Sequence, residues 1–185
     1  MKRNEFFQKI CGMGICCCSG IALLARQTGT DFTTSKEVSE TDWRIGFMQR
    51  RFAKFINICN SRIDSELKNE IIEQLGRECA RERKDEFTKF RGQVREYLKE
   101  IETKWVEKTE YDEITGEINI YGKKQLKCFC PFVDAALMSK DFCLCTKGWQ
   151  KETFETILER PVDVRIESSV LWGGERCSFK INVIS

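Results

Sequence analysis

The cysteines of residues 128–145 have the clearest capacity for chemistry in this chain. The segment reads CFCPFVDAALMSKDFCLC and holds two C-x-C pairs, Cys128/Cys130 and Cys143/Cys145, separated by twelve residues. Four sulfur atoms spaced in this way could hold a metal ion, form disulfides, act as reactive or catalytic thiols, or fill a core. The sequence leaves these four alternatives open.

The one-residue spacing within each C-x-C pair limits which of these roles the cysteines could have. Residues i and i+2 of an extended strand point to the same side, so each pair could present both sulfurs together. A helix beginning near Lys147 would direct its free amide groups toward Cys143 and Cys145 and favour the thiolate. Four converging thiolates suit a tetrahedral zinc site or an iron–sulfur cluster, although zinc sequences usually leave two to four residues within each pair. In a disulfide form, cross-pairing between the two C-x-C pairs is less strained than a bridge within one pair.

Three other cysteines of the body have different contexts. Cys59 and Cys177 fall on predicted apolar faces, and free cysteine is often buried as a small apolar residue. Cys79 follows Gly76 by three residues within a predicted helix, where glycine lowers helix propensity and suggests close approach of another segment. The candidate metal ligands are therefore Cys128, Cys130, Cys143 and Cys145, with Cys79 as an additional candidate.

Composition excludes several other functions. The 185 residues contain no histidine, so Ser-His and Cys-His dyads and mixed Cys/His zinc sites cannot form. Lysine and arginine number 31 and aspartate and glutamate 29, so no strong positive field attracts nucleic acid. We therefore expect a small-molecule ligand or a metal as the partner, and no nucleic acid.

The N-terminal segment has the layout of an export signal. MKRNEFFQK is a basic start, and ICGMGICCCSGIALLA is an uncharged run that is short for a membrane span. It resembles a bacterial twin-arginine signal, with Asn4 in place of the second arginine. We expect an export signal at 1–25, a flexible tether at 26–41 and one domain at 42–185, with no stable membrane span after signal removal. The protein would then lie in the bacterial periplasm or cell envelope, or in the cytoplasm if the segment is not a signal.

The pattern of the body predicts an α+β fold. Apolar residues recur at helical spacing in three early segments and in Lys147–Arg160, and two β-hairpins are predicted. The predicted elements are helices over 42–59, from Ser61 to Cys79 and over 87–105, a hairpin turning at 112–116, the helix 147–160 and a final hairpin over 162–183. We expect N-terminal helices packed with a mostly antiparallel sheet that ends in a C-terminal β-hairpin.

Several motifs together resemble known families. Cys128-Phe-Cys130-Pro131, Cys143-Leu-Cys145-Thr-Lys-Gly148-Trp149, Glu167-Ser168-Ser169-Val170 and Gly173-Gly174-Glu-Arg-Cys177 are similar to uncharacterised bacterial proteins related to L-2-amino-thiazoline-4-carboxylate hydrolase. The final hairpin is also similar to that of the 4-vinyl reductase domain. The resemblance implies an α+β ligand-binding fold with the cysteines near a pocket.

Three functional interpretations follow. The first is an exported domain that binds a metal or a small molecule through the cysteine site. The alternative is a hydrolase of a small cyclic C–N bond, with a cysteine thiolate as nucleophile and a carboxylate such as Asp134, Asp141 or Glu152 moving protons. The third is an exported structural protein stabilised by disulfides.

Overall fold

The computed structural model describes residues 34–184, with side chains from residue 43 onward. The predicted export signal, 1–25, lies outside the described residues, and the predicted tether, 26–41, overlaps the start of the first helix. Backbone contacts group Lys36–Ser185 into one compact unit.

Five α-helices are found among the described residues, and their limits differ from the predicted ones. They are α1 (Thr34–Arg62), α2 (Ser65–Arg81), α3 (Lys84–Thr88), α4 (Val94–Glu102) and α5 (Cys143–Leu158). The prediction that α2 begins at Ser61 is wrong, because Asp64 caps the helix by accepting a hydrogen bond from the Leu67 amide at 2.9 Å. The single predicted helix over 87–105 is divided by Gly92, whose left-handed backbone (φ +68°) ends the helical path.

Four antiparallel strands form one sheet in the described part of the chain. They are β1 (Val106–Asp112), β2 (Glu117–Gly122), β3 (Val162–Ser168) and β4 (Ser178–Val183), in the order β1-β2-β4-β3. Both predicted hairpins are confirmed, since β1 pairs with β2 and β3 with β4. The α+β fold class is confirmed, and the β2–β4 pairing brings the end of β2 beside the residues that precede β4.

Two apolar cores stabilise the domain. The larger one lies between the sheet and α3, α4 and α5, and its fully buried side chains include Ile118, Phe154 and Ile181. The smaller one joins α1 and α2 to the start of α5 through Ile56, Ile72 and Phe142. Cys128, Cys130 and Cys145 pack against this smaller core, so the C-x-C pairs lie at the side of the domain that the long N-terminal helices cover.

Among the residues that the structure describes, no helix combines the length and the apolar character needed to cross a membrane.

Candidate functional site

Two glycines let α2 and α5 cross at backbone contact. A β-carbon on Gly76 would lie 1.7 Å from the Cys145 carbonyl oxygen, and one on Gly148 would lie 1.8 Å from the Glu73 carbonyl oxygen. Real β-carbon contacts are never so short, so only glycine fits at either position. The close approach predicted at Gly76 is confirmed, Gly148 makes the matching contact on α5, and the crossing brings Cys79 of α2 to Cys145 of α5.

The second C-x-C pair lies on a helix and not on an extended strand. Helix α5 begins at Cys143, four residues before the predicted start at Lys147. Successive helical residues turn by about 100°, so residues i and i+2 point nearly to opposite sides. The expectation that Cys143 and Cys145 present both sulfurs to one side is therefore wrong.

Six thiols form one cluster, which we call the six-thiol cluster. Its members interact electrostatically with one another, and they are Cys79, Cys128, Cys130, Cys143, Cys145 and Cys177. The structure thus brings together all five sequence-predicted ligands and adds Cys177, which the sequence had assigned to packing. Cys59 of α1 is half-buried and interacts with none of the six in the described part of the chain.

The cluster divides into two triads. Cys79, Cys130 and Cys145 all interact with one another, and we call them the α2 triad. Cys128, Cys143 and Cys177 also all interact with one another, and we call them the Ser169 triad after their neighbouring hydroxyl. Each C-x-C pair gives one sulfur to each triad, which follows for Cys143 and Cys145 from their opposite directions on α5.

Helix α1 and its aromatic residues hold the loop that carries Cys128 and Cys130. The Phe52 ring packs 5.4 Å from the Phe132 ring and 5.2 Å from the Phe142 ring, measured between centroids. The Gln49 side-chain amide donates a hydrogen bond to the Pro131 carbonyl at 2.9 Å. Through these contacts, α1 stabilises the conformation of the loop that contains the first C-x-C pair.

Ser169 is a functional candidate that sequence reasoning did not identify. Its hydroxyl lies 2.9 Å from the Cys143 sulfur in a buried position, and the Leu171 amide donates to the same hydroxyl oxygen at 3.1 Å. With an amide donating to the oxygen, the hydroxyl proton can be donated to a Cys143 thiolate. The segment Glu167–Val170 was part of the family resemblance, but nothing in its spacing pointed to a cysteine partner.

Five thiols of the cluster have raised pKa values, which favour the neutral form. Burial, together with the neighbouring thiols, raises the pKa of Cys145 to about 12 and that of Cys128 to about 11. Burial also raises the pKa values of Cys79, Cys130 and Cys143, although the Ser169 hydrogen bond opposes the rise at Cys143. The expectation that a helix start favours the thiolate at Cys143 and Cys145 is wrong: both lie in the first turn of α5, but desolvation by burial outweighs the helix dipole there and raises both pKa values.

The three candidate carboxylates are engaged elsewhere. Asp141 pairs with Lys68 at 2.8 Å, and Asp134 accepts a hydrogen bond from the Ala136 amide at 3.0 Å. Glu152 pairs with Arg77 and Arg81 at 2.9 Å each, and these bonds outweigh burial and lower its pKa. Of the three, only Asp141 raises the pKa of a cluster thiol, that of Cys143.

All seven cysteines of the described residues are free thiols. Within the same residues, no three cysteine, aspartate or glutamate side chains already converge in the manner of a metal site. A surface depression of about 450 Å³ is lined by Arg91, Glu155, Thr156, Glu159, Arg160 and Pro161, and it includes no cysteine.

Comparisons with known proteins give limited guidance. No curated protein is significantly similar to the chain. A trafficking protein particle complex subunit 3 from Naegleria fowleri, covalently bound to palmitic acid, has 11% identity and a TM-score of 0.48, with 76% of this chain and 97% of that chain covered. A vinyl-4-reductase family protein from Methanocaldococcus jannaschii has 14% identity and a TM-score of 0.33, with 85% of this chain and 100% of that chain covered. Both TM-scores lie below 0.5, so neither likeness bears on the function.

The family is shown by the sequence itself. The comparisons give no support to the resemblance to thiazoline-carboxylate hydrolase. A family model, described as a family of unknown function, matches residues 33–185, which include all of the described residues. The chain belongs to this family, DUF6144.

Proposed function

We propose that this domain binds a thiophilic metal ion through the six-thiol cluster. The observation that carries the proposal is that six free thiols neighbour one another in two triads, in a chain without histidine. Cys128, Cys130, Cys143, Cys145 and Cys79 remain the candidate ligands, and Cys177 joins them.

The ligand chemistry limits which metals fit. Thiolate sulfur is a soft ligand that selects zinc, cuprous copper or the iron of iron–sulfur clusters over magnesium and calcium. A group of partly buried, neutral thiols also suits a cation. Binding releases thiol protons, and the negative charges of the resulting thiolates balance the positive charge of the metal ion. The Ser169 hydroxyl would donate a hydrogen bond to the Cys143 sulfur once that sulfur ionises, and would so orient it.

Binding requires a local adjustment of the thiols. Among the described residues, no three thiols already converge as metal ligands, so cysteine side chains must rotate about χ1 to bring four sulfurs to one ion. Such rotation moves the sulfur and leaves the backbone in place.

The hydrolase alternative is less favoured by the site. A cysteine nucleophile needs an accessible thiolate near neutral pH, and that requires a lowered pKa. The pKa values of Cys128 and Cys145 are instead raised to about 11 and about 12. Of the candidate carboxylates, Asp141 is held in an ion pair with Lys68, and Glu152 is held in ion pairs with Arg77 and Arg81.

A metal titration tests the proposal. Reduced, metal-free full-length protein is titrated with cadmium, which reports thiolate binding by sulfur-to-metal charge-transfer absorbance. We expect saturable absorbance at about one or two ions per chain, with affinity lowered at least about 10-fold in Cys145→Ser and Cys128→Ser through loss of a ligand.

Two controls separate the cluster from the other cysteines. Cys59→Ser removes a half-buried thiol outside the cluster, and replacement of Cys11, Cys16, Cys17 and Cys18 by serine removes the N-terminal thiols. Both are expected to titrate as the wild type does. Equal binding by wild type and Cys145→Ser, or complete loss in the N-terminal variant, would reject the proposed site.

We also propose that the domain is exported. The support is the layout of residues 1–25, with a basic start and an uncharged run that has small residues, Gly20, Ala22 and Ala25, near the proposed cleavage positions. N-terminal sequencing of the natural protein is the test, and a mature chain beginning near Leu23 or Arg26 is expected. An intact Met1 on the natural protein would reject export by cleavage.

A further inference from the structure

The exposed faces of α1 and α2 are unusually apolar. Side chains expected in the core from their helical spacing are largely accessible, with Phe55 57% exposed, Met48 49% and Ile71 48%. On α2, exposed Leu67, Ile71 and Leu75 recur every four residues and form a stripe next to the face that buries Ile72. Helices α1 and α2 therefore carry two apolar stripes that a single chain does not bury.

The charges beside the two stripes are opposite in sign. Residues 43–62 of α1 contain five arginine or lysine residues and no acidic one, and Arg50, Arg51 and Lys54 are exposed. Exposed Glu66 and Glu70 lie beside the α2 stripe. Within the described part of the chain, no ion pair engages Arg51, Lys54, Glu66 or Glu70. The exposed charges beside the α1 stripe are thus basic and those beside the α2 stripe are acidic, since Lys68 of α2 is already paired with Asp141.

We propose that a second copy of this chain covers the two stripes in a two-fold symmetric dimer, with α1 of one copy against α2 of the other. In a two-fold dimer each copy uses the same surface. The basic stripe of each copy therefore faces the acidic stripe of the other, and this pairing occurs twice in the dimer. The apolar side chains supply the buried centre of the interface and the opposite charges fix its direction. This interface is independent of the metal proposal.

The charge pattern favours this occupant over a membrane surface. A basic amphipathic helix such as α1 could lie on anionic lipid, because its aromatic and basic residues suit such a surface. The glutamates beside the α2 stripe would be repelled by the same lipid. A second copy accounts for both stripes at once.

Sedimentation equilibrium of the reduced full-length protein tests the dimer. We expect a species of twice the 21.6 kDa chain mass at micromolar concentration. Phe55→Glu and Ile71→Glu should each raise the dissociation constant by about 100-fold or more, because a symmetric dimer contains each substitution twice. Ile114→Glu is the matched control, since Ile114 is 97% exposed in the β1–β2 turn and should leave the dimer unchanged.

Charge exchange tests the pairing of the two stripes. Arg51→Glu with Lys54→Glu should weaken the dimer, and so should Glu66→Lys with Glu70→Lys. All four substitutions in one chain should restore it, and circular dichroism checks that each variant is folded. A monomeric wild type, vesicle binding by α1 without self-association, or absence of rescue would overturn the proposal.

Discussion

At the scale of single residues, the direction of two side chains determines the site. Cys143 and Cys145 point to different sides of α5, so one joins the triad beside Ser169 and the other joins the triad beside α2. The identity of the cluster thiols could be predicted from type and spacing. Their division into triads could not be predicted, because it depends on α5 beginning at Cys143. The N-cap residue Phe142 makes no side-chain cap hydrogen bond, so the sequence contains no capping signal for that start.

Cys177 shows a second limit at this scale. Its place in an alternating strand pattern predicted simple packing beside Phe179. Only the β2–β4 pairing, in which the Gly122 amide donates to the Cys177 carbonyl at 2.9 Å, brings it next to the loop that carries Cys128. Local pattern does not specify which strands become neighbours.

The raised thiol pKa values predict how the metal-free protein responds to alkali. A thiol with a folded pKa of about 12, against 9.0 for an ordinary thiol, contributes stability below pH 9 that is lost as the pH rises toward 12. We expect the free energy of unfolding in urea to fall between pH 8 and pH 10, by at most about 1.4 kcal/mol per pH unit for one thiol. Cys145→Ala should make this fall shallower, and Cys59→Ala should not. Identical slopes in wild type and Cys145→Ala would contradict the assignment of a buried neutral thiol.

At the scale of elements, the α2–α5 crossing positions the cluster. Of its two glycines, Gly76 could be noticed in the sequence because it interrupts a helical pattern. Arg77 of α2 also forms salt bridges to Glu152 and Glu155 of α5, with nitrogen–oxygen distances of 2.9 Å and 2.8 Å, and these stabilise the crossing. The sequence could not show which helices meet at the glycines, since periodicity describes one helix at a time.

Gly76→Ala tests the crossing. The added methyl group would overlap the Cys145 carbonyl, so α2 and α5 must separate, and we expect the free energy of unfolding to fall by about 3 kcal/mol. Gly46→Ala is the control, because its β-carbon meets only the flexible end of Arg50 at 3.3 Å and alanine is the better helix former. Urea unfolding at neutral pH measures both. A Gly76→Ala variant as stable as Gly46→Ala would show that the helices do not cross at backbone contact.

At the scale of the whole molecule, the sequence predicted the fold class better than the burial. The hairpins and helices follow from spacing, and they assemble as one α+β unit. The apolar stripes of α1 and α2 were assigned to the core, because helical spacing indicates that a face is covered without showing what covers it. The expected single helix over 87–105 is divided at Gly92, because the backbone conformation of this residue interrupts an otherwise continuous apolar stripe.

The most direct test of the account is the metal content of the purified protein together with its reactive thiols. Protein is purified without chelator and without oxygen, analysed for metals, and titrated with a thiol reagent before and after treatment with a strong chelator. The account predicts about one thiophilic ion per chain or more, cluster thiols that react only after chelation, and loss of the ion in Cys145→Ser but not in Cys59→Ser. Protein that carries no metal, takes up none when zinc is supplied, and whose cluster thiols react fully without chelator would contradict the central claim.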